Sequence, residues 1–202
     1  MRLGHIITLL PLCLTACLPF SNSEGDAQTE ANNIGPCIEA LESIAGDFDG
    51  DGTSDQATLY HIPEQTIPGD SLNLEQHIDE SYYIAFDKES IARKTSSHKL
   101  SNLTLLGDIN DDGKDELGVL TQGSQSYNAW GNYSALSNRG TEWQSIASTT
   151  LNVSLLESFG TTVDIPTLIT SDSTRRGYIA VKHFTILDGE SCEMTTETLR
   201  II

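Results

Sequence analysis

Apart from one apolar run near the start, Ile6 to Leu14, the hydrophobic residues of this chain come in short β-branched or aromatic clusters separated by polar, glycine-bearing stretches. That punctuation predicts strands and turns rather than helices. The clusters fall at Ala57 to His61, at Ser81 to Asp87 with Tyr82, Tyr83 and Phe86, at Leu117 to Thr121, at Trp130 to Leu136 and at Glu142 to Ile146. A further apolar segment runs from Leu151 to Leu156, and strands are expected at Thr167 to Thr170, Tyr178 to Ile186 and Met194 to Ile201. The fold class that follows is all-β.

Two of the polar stretches share one chemistry. Gly46-Asp47-Phe48-Asp49-Gly50-Asp51-Gly52-Thr53-Ser54-Asp55 and Gly107-Asp108-Ile109-Asn110-Asp111-Asp112-Gly113-Lys114-Asp115-Glu116 both place oxygen-bearing side chains at loop positions 1, 3, 5 and 9, with glycine at position 6. A hard cation that takes about six to eight oxygen ligands suits such a loop, and glycine permits its sharp turn. The expected ligands of the first site are Asp47, Asp49, Asp51, Asp55 and the carbonyl of Thr53. Those of the second are Asp108, Asn110, Asp112, Glu116 and the carbonyl of Lys114. A single such loop is also compatible with a solvated Asp/Gly turn; two in one frame favour two calcium sites. The clustered carboxylates repel one another, so a cation is expected to order each loop.

An EF-hand shares the opening of these loops but needs a bidentate Glu at position 12. Thr58 and Val119 stand there, and the flanks Gln56 to Tyr60 and Leu117 to Thr121 read as strands. Each loop therefore joins two strands. One offset, 61 residues, carries Gly46 onto Gly107 and brings similar material after it, with Tyr83-Ile84-Ala85-Phe86 and Tyr133-Ser134-Ala135-Leu136 as equivalent strands. This points to a repeated β-unit, with a third, loop-less copy from Ile165 to Ile202. On these loops the chain resembles the FG-GAP/VCBS repeat proteins, whose propeller blades carry Gly-Asp-x-Asp-x-Asp-Gly-x-x-Asp calcium loops. The resemblance implies a propeller-like repeat of small antiparallel sheets, two to three blades, with calcium in the inter-strand loops. Asn110 and Glu116 depart from the family's usual aspartates.

The start of the chain bears on its location. Met1-Arg2, the apolar run and Leu14-Thr15-Ala16-Cys17 look like a bacterial lipoprotein signal, with residues 1–16 removed and Cys17 carrying the lipid. The apolar run is shorter than the roughly 20 residues a bilayer-spanning helix needs. Leu18, where an Asp would signal inner-membrane retention, favours the outer membrane, facing the periplasm. Residues 17–36 are too polar to fold and read as a tether, and residues 37–202 as the folded domain. With Cys13 lost and Cys17 lipidated, Cys37 and Cys192 are left to form a disulfide in the oxidising envelope.

The formal charge of −18 disfavours nucleic acid and anionic lipid as partners, so contact with the membrane is expected through the lipid anchor only. A basic secreted enzyme would be attracted. His61, His77, His98 and His183 have no zinc-protease spacing, and the chain carries no nucleophile elbow, phosphate loop or dinucleotide fingerprint. The densest aromatic grouping is Tyr127, Trp130, Tyr133 and Trp143, of which Tyr127, Trp130 and Tyr133 are candidate partner contacts, with burial in the core as the alternative. The expected function is a calcium-stabilised, non-enzymatic binding module, of the inhibitor or immunity type against a secreted cell-wall hydrolase. An enzyme acting on envelope glycans is the alternative.

Overall fold

The computed structural model describes residues 36–67, 75–122, 130–187 and 191–201. The signal segment, Cys17, nearly all of the tether and Tyr127 lie outside these residues. The chain is all-β, built from small antiparallel sheets of which none closes on itself. Strands β1 (Glu39–Gly46), β2 (Asp55–Ile62), β5 (Ser81–Phe86) and β6 (Lys94–Ser96) form a first sheet in that order; β3 (Gln65–Ile67) and β4 (Gln76–Ile78) make a separate ribbon. A second sheet is the meander β7 (Leu100–Gly107), β8 (Glu116–Gln122), β9 (Trp130–Asn138) and β10 (Trp143–Asn152). A third consists of β11 (Ile169–Ser171), β12 (Tyr178–Leu187) and β13 (Ser191–Arg200).

Side-chain alternation decides how the sheets stack. Ala57 and Leu59 on β2 and Tyr82 and Ile84 on β5 point inward from the first sheet and meet Leu117, Val119, Leu136 and Trp143 of the second. The opposite face of the second sheet offers Leu120, Tyr133, Ala135, Ala147 and Leu151 to Ile169, Ile179 and Val181 of the third. The second sheet is thus covered on both faces, and β8 is buried from Glu116 to Leu120. Apolar burial of this kind stabilises by about 25 cal/mol per Å² removed from water. The first two sheets also meet along β1 and β7, where the Glu42 carboxylate accepts N–H bonds from Asn102 at 3.0 Å and Leu103 at 2.7 Å.

The segment Leu151 to Leu156 changes structure midway. β10 runs on to Asn152, whose Oδ1 accepts the Leu155 N–H at 3.0 Å and caps a short helix, α1 (Val153–Ser158). Leu156 on that helix closes one end of the second core.

Cys37 and Cys192, the expected disulfide partners, have separate surroundings. Cys192 lies on β13 with its Sγ 3.3 Å from Thr161 Oγ1, packed against the core shared by the second and third sheets. The Cys37 N–H donates to Gln65 Oε1 at 2.9 Å and its carbonyl accepts from Gln65 Nε2 at 3.3 Å.

Candidate metal centre

Both acidic loops connect the first two strands of a four-stranded sheet. Loop 1 is closed by Gly46 opposite Asp55 at the β1–β2 joint, and loop 2 by Gly107 opposite Glu116 at the β7–β8 joint. Each loop folds around its first acid. Asp47 accepts N–H bonds from Gly50, Asp51 and Gly52 at 2.8 to 3.1 Å, and Asp108 accepts from Asp112 and Gly113 at 3.0 Å. At position 6, Gly52 and Gly113 have φ of 84° and 86°, the left-handed region that only glycine enters freely. At position 4, Gly50 has φ 79° and its counterpart Asp111 has φ 64°, a conformation Asp tolerates better than most residues.

Loop 1 gathers one oxygen each from Asp47, Asp49 and Asp55 within 4.8 Å of one another, a cluster that can hold a metal ion. Asp55 is fully buried, and its Oδ2 accepts the Phe48 N–H at 3.1 Å. Asp51 stands outside that trio, and its Oδ1 accepts from the N–H and hydroxyl of Thr53 at 2.8 and 2.5 Å. A residue distant in sequence completes the site. Lys88, in the β5–β6 connection, brings Nζ to 2.7 Å from Asp55 Oδ1, 2.8 Å from Asp51 Oδ2, 3.2 Å from Asp49 Oδ2 and 3.0 Å from Thr53 Oγ1. The hydrogen bond from Lys88, aided by Thr53, lowers the Asp51 carboxyl to about 2, and the Asp51 and Asp55 carboxylates raise Lys88 above the ordinary lysine range.

Loop 2 solves the same problem without a lysine. Among the described residues it presents no comparable trio of acidic ligands, because Asn110 stands where loop 1 has Asp49. The Asn110 amide donates to Glu116 Oε1 at 2.7 Å, to Asp112 Oδ2 at 3.1 Å and to Ser137 Oγ at 3.3 Å. Glu116 is fully buried, its Oε2 accepts the Ile109 N–H at 3.0 Å, and burial pushes its carboxyl up to about 7, with Asp112 and Asp108 adding to the rise. Lys114 turns away and donates to the Asn138 carbonyl at 3.2 Å. Arg139 and Arg176 face Asp112 and Asp111 from outside the loop.

The loops touch. Asp47 N–H donates to Asp115 Oδ2 and Asp115 N–H donates to the Asp47 carbonyl, both at 2.8 Å. Asn138, at the end of β9, donates to the Phe48 carbonyl at 3.0 Å and ties loop 1 to the second sheet.

The aromatic residues separate. Tyr133, a candidate partner contact, is fully buried, since on β9 it alternates with Ala135 toward the third sheet and cannot reach a partner. Trp143 is core as well, stacked on Phe86 with centroids 5.1 Å apart and donating Nε1–H to the Ala92 carbonyl at 2.7 Å. Trp130 remains exposed, beside a cavity of about 290 Å³ lined with it by His98, Thr121, Gln122, Asn132 and Thr150. This cavity lies at the end of β8 and β9 opposite loop 2.

Compared with family models, curated proteins and solved structures, the chain matches none.

Proposed function

We propose that this chain is a calcium-stabilised envelope lipoprotein of FG-GAP/VCBS-type repeats that works by binding a partner. The observation that carries the reading is the repetition of one loop at one joint. In two successive four-stranded sheets, an acidic loop with left-handed glycine at position 6 links the first strand to the second, and a buried carboxylate heads that second strand. A buried carboxylate is costly unless a cation or hydrogen-bond donors answer it. Calcium meets that need with oxygen ligands in flexible geometry, and its role in a loop of this kind is to hold the joint between blade-like sheets.

Binding is supported by the exposed Trp130, which stands beside an open cavity. Trp130 is the contact expected to meet a partner, and the acidic surface favours a basic one.

The test is thermal unfolding in calcium and in chelator. Calcium at about a hundred times its dissociation constant should stabilise the native state by about 2.7 kcal/mol. Coincident melting curves would remove the calcium assignment. Lipid attachment is tested separately by incorporation of labelled palmitate, which Cys17→Ser should abolish.

A further inference from the structure

Among the described residues, the ammonium at the centre of loop 1 has no counterpart in loop 2, and its placement is specific. Lys88 Nζ lies within 3.2 Å of oxygens from Asp49, Asp51, Thr53 and Asp55. Asp55 supplies an independent observation that points to a cation. Its carboxylate is aimed into the loop with none of its surface exposed, and its Oδ1 is answered only by the Lys88 ammonium, 2.7 Å away. That oxygen requires a positive charge, and the chain supplies one of its own.

We propose that Lys88 is a tethered competitor for the divalent cation at loop 1, seated in the coordination space when metal is absent and expelled when metal enters. The inference rests on the reading of loop 1 as a calcium site. Calcium binds oxygens at about 2.3 to 2.6 Å, so an ion held by Asp47, Asp49 and Asp55 would draw on two carboxylates, Asp49 and Asp55, that also hold the ammonium, and the two cations would crowd one site. Two positive charges at such separation also repel strongly. The two occupants exclude each other.

Expulsion needs only the side chain. The backbone beside Lys88 is fixed by the Asp87 N–H to the Gln56 carbonyl at 3.1 Å, by the Gln56 N–H to Asp87 Oδ1 at 2.9 Å, and by buried Ile91, whose N–H donates to the Lys88 carbonyl at 3.2 Å. The Lys88 side chain is partly exposed, so the flexible stem can swing toward water while the connection stays in place. Lys88 therefore sets affinity rather than driving a large movement. It keeps loop 1 in its binding shape without metal, and it weakens binding because each cation must first displace it. Loop 2 carries no such competitor, since Lys114 is engaged with Asn138.

The experiment is calorimetric titration of the full chain with calcium alone, for the native sequence and for Lys88→Gln, with Asp49→Ala identifying the loop 1 signal. Lys88→Gln is expected to tighten loop 1 by about tenfold, as removal of a competing charge should, and to leave loop 2 unchanged. A second readout uses the unaltered protein. Acylation of the Lys88 amine, followed by mass spectrometry, should accelerate when calcium is added. Equal loop 1 affinity in both proteins, or acylation indifferent to calcium while calcium binds, would overturn the competitor role and leave the calcium site standing. If neither protein shows calcium binding that Asp49→Ala removes, the site and the inference fall together.

Discussion

Loops 1 and 2 are the same turn answering the same electrostatic problem in opposite ways. Loop 1 receives an ammonium from another connection, whose hydrogen bond to Asp51 holds that carboxyl at about 2. Loop 2 replaces one acid by an amide, shields the remaining charge with its donors, and leaves the buried Glu116 raised to about 7. The pair shows that a repeated backbone trace does not fix how its charge is managed. Of the differences between the loops, two bear most directly on charge: Asp49 against Asn110, and the presence of Lys88 at loop 1.

The largest expected effect probes how firmly each loop is anchored. Phe48 and Ile109 occupy the same loop position, but Phe48 packs edge-on to Phe86 and Trp143 between the first two sheets, while Ile109 enters the core between the second and third. Phe48→Ala should destabilise the protein by about 4 kcal/mol and Ile109→Ala by about 3 kcal/mol in denaturant titration. An Ile109 loss equal to that of Phe48 would mean the two loops are anchored alike.

Asn110→Asp converts loop 2 toward the loop 1 pattern without supplying a lysine. It removes the donor on buried Glu116, so in chelator the variant should lose about 2 kcal/mol, and calcium should restore more of that loss than it adds to the native protein. Melting curves in both buffers decide the matter; native-like stability in chelator would show that the amide is not what satisfies Glu116. Asp115→Ala deletes one of the two hydrogen bonds between the loops and should lose about 1 kcal/mol. The same variant should also make calcium binding at one loop insensitive to the state of the other, which a titration of the Asp49→Ala background would detect.

The pH responses should run in opposite directions. Glu116 titrates higher in the folded protein than in the unfolded chain, so its favourable contribution is complete below the ordinary carboxyl value near pH 4 and is lost as pH rises through about 7 in chelator. Asp51 titrates lower when folded, so its contribution is present above about pH 4 and is lost as pH falls through about 2. Carboxyl shifts followed by NMR on the metal-free protein check both. Midpoints near 4 for each would erase the contrast.

Much of this was legible in the residues. Strands β2, β5, β8, β9, β12 and β13 fell where apolar clusters stood between polar turns, while β1 and β7 lay at no such cluster; the acidic spacing located both loops, because the features of an inter-strand turn are local. Lys88 was not legible: it reaches loop 1 only because β2 pairs with β5, a contact set by the register Ala57 to Phe86. Tyr133 misled for a related reason, since a strand residue's exposure depends on which sheet covers its face, and nothing near Tyr133 in sequence names the third sheet. The long β10 was underestimated because Ser148, Thr149 and Thr150 look like a turn in composition yet pair along β9. The end of that strand did carry a local signal, the capping Asn152, whose side chain starts α1.

The double covering of the second sheet has a consequence for how the protein comes apart. Neither outer sheet can detach without exposing one whole apolar face of the middle one, and a chain stopped after β10 would be left with such a face bare. The three sheets should therefore melt in one transition, and β11 to β13 are the elements that complete the cover of the middle sheet.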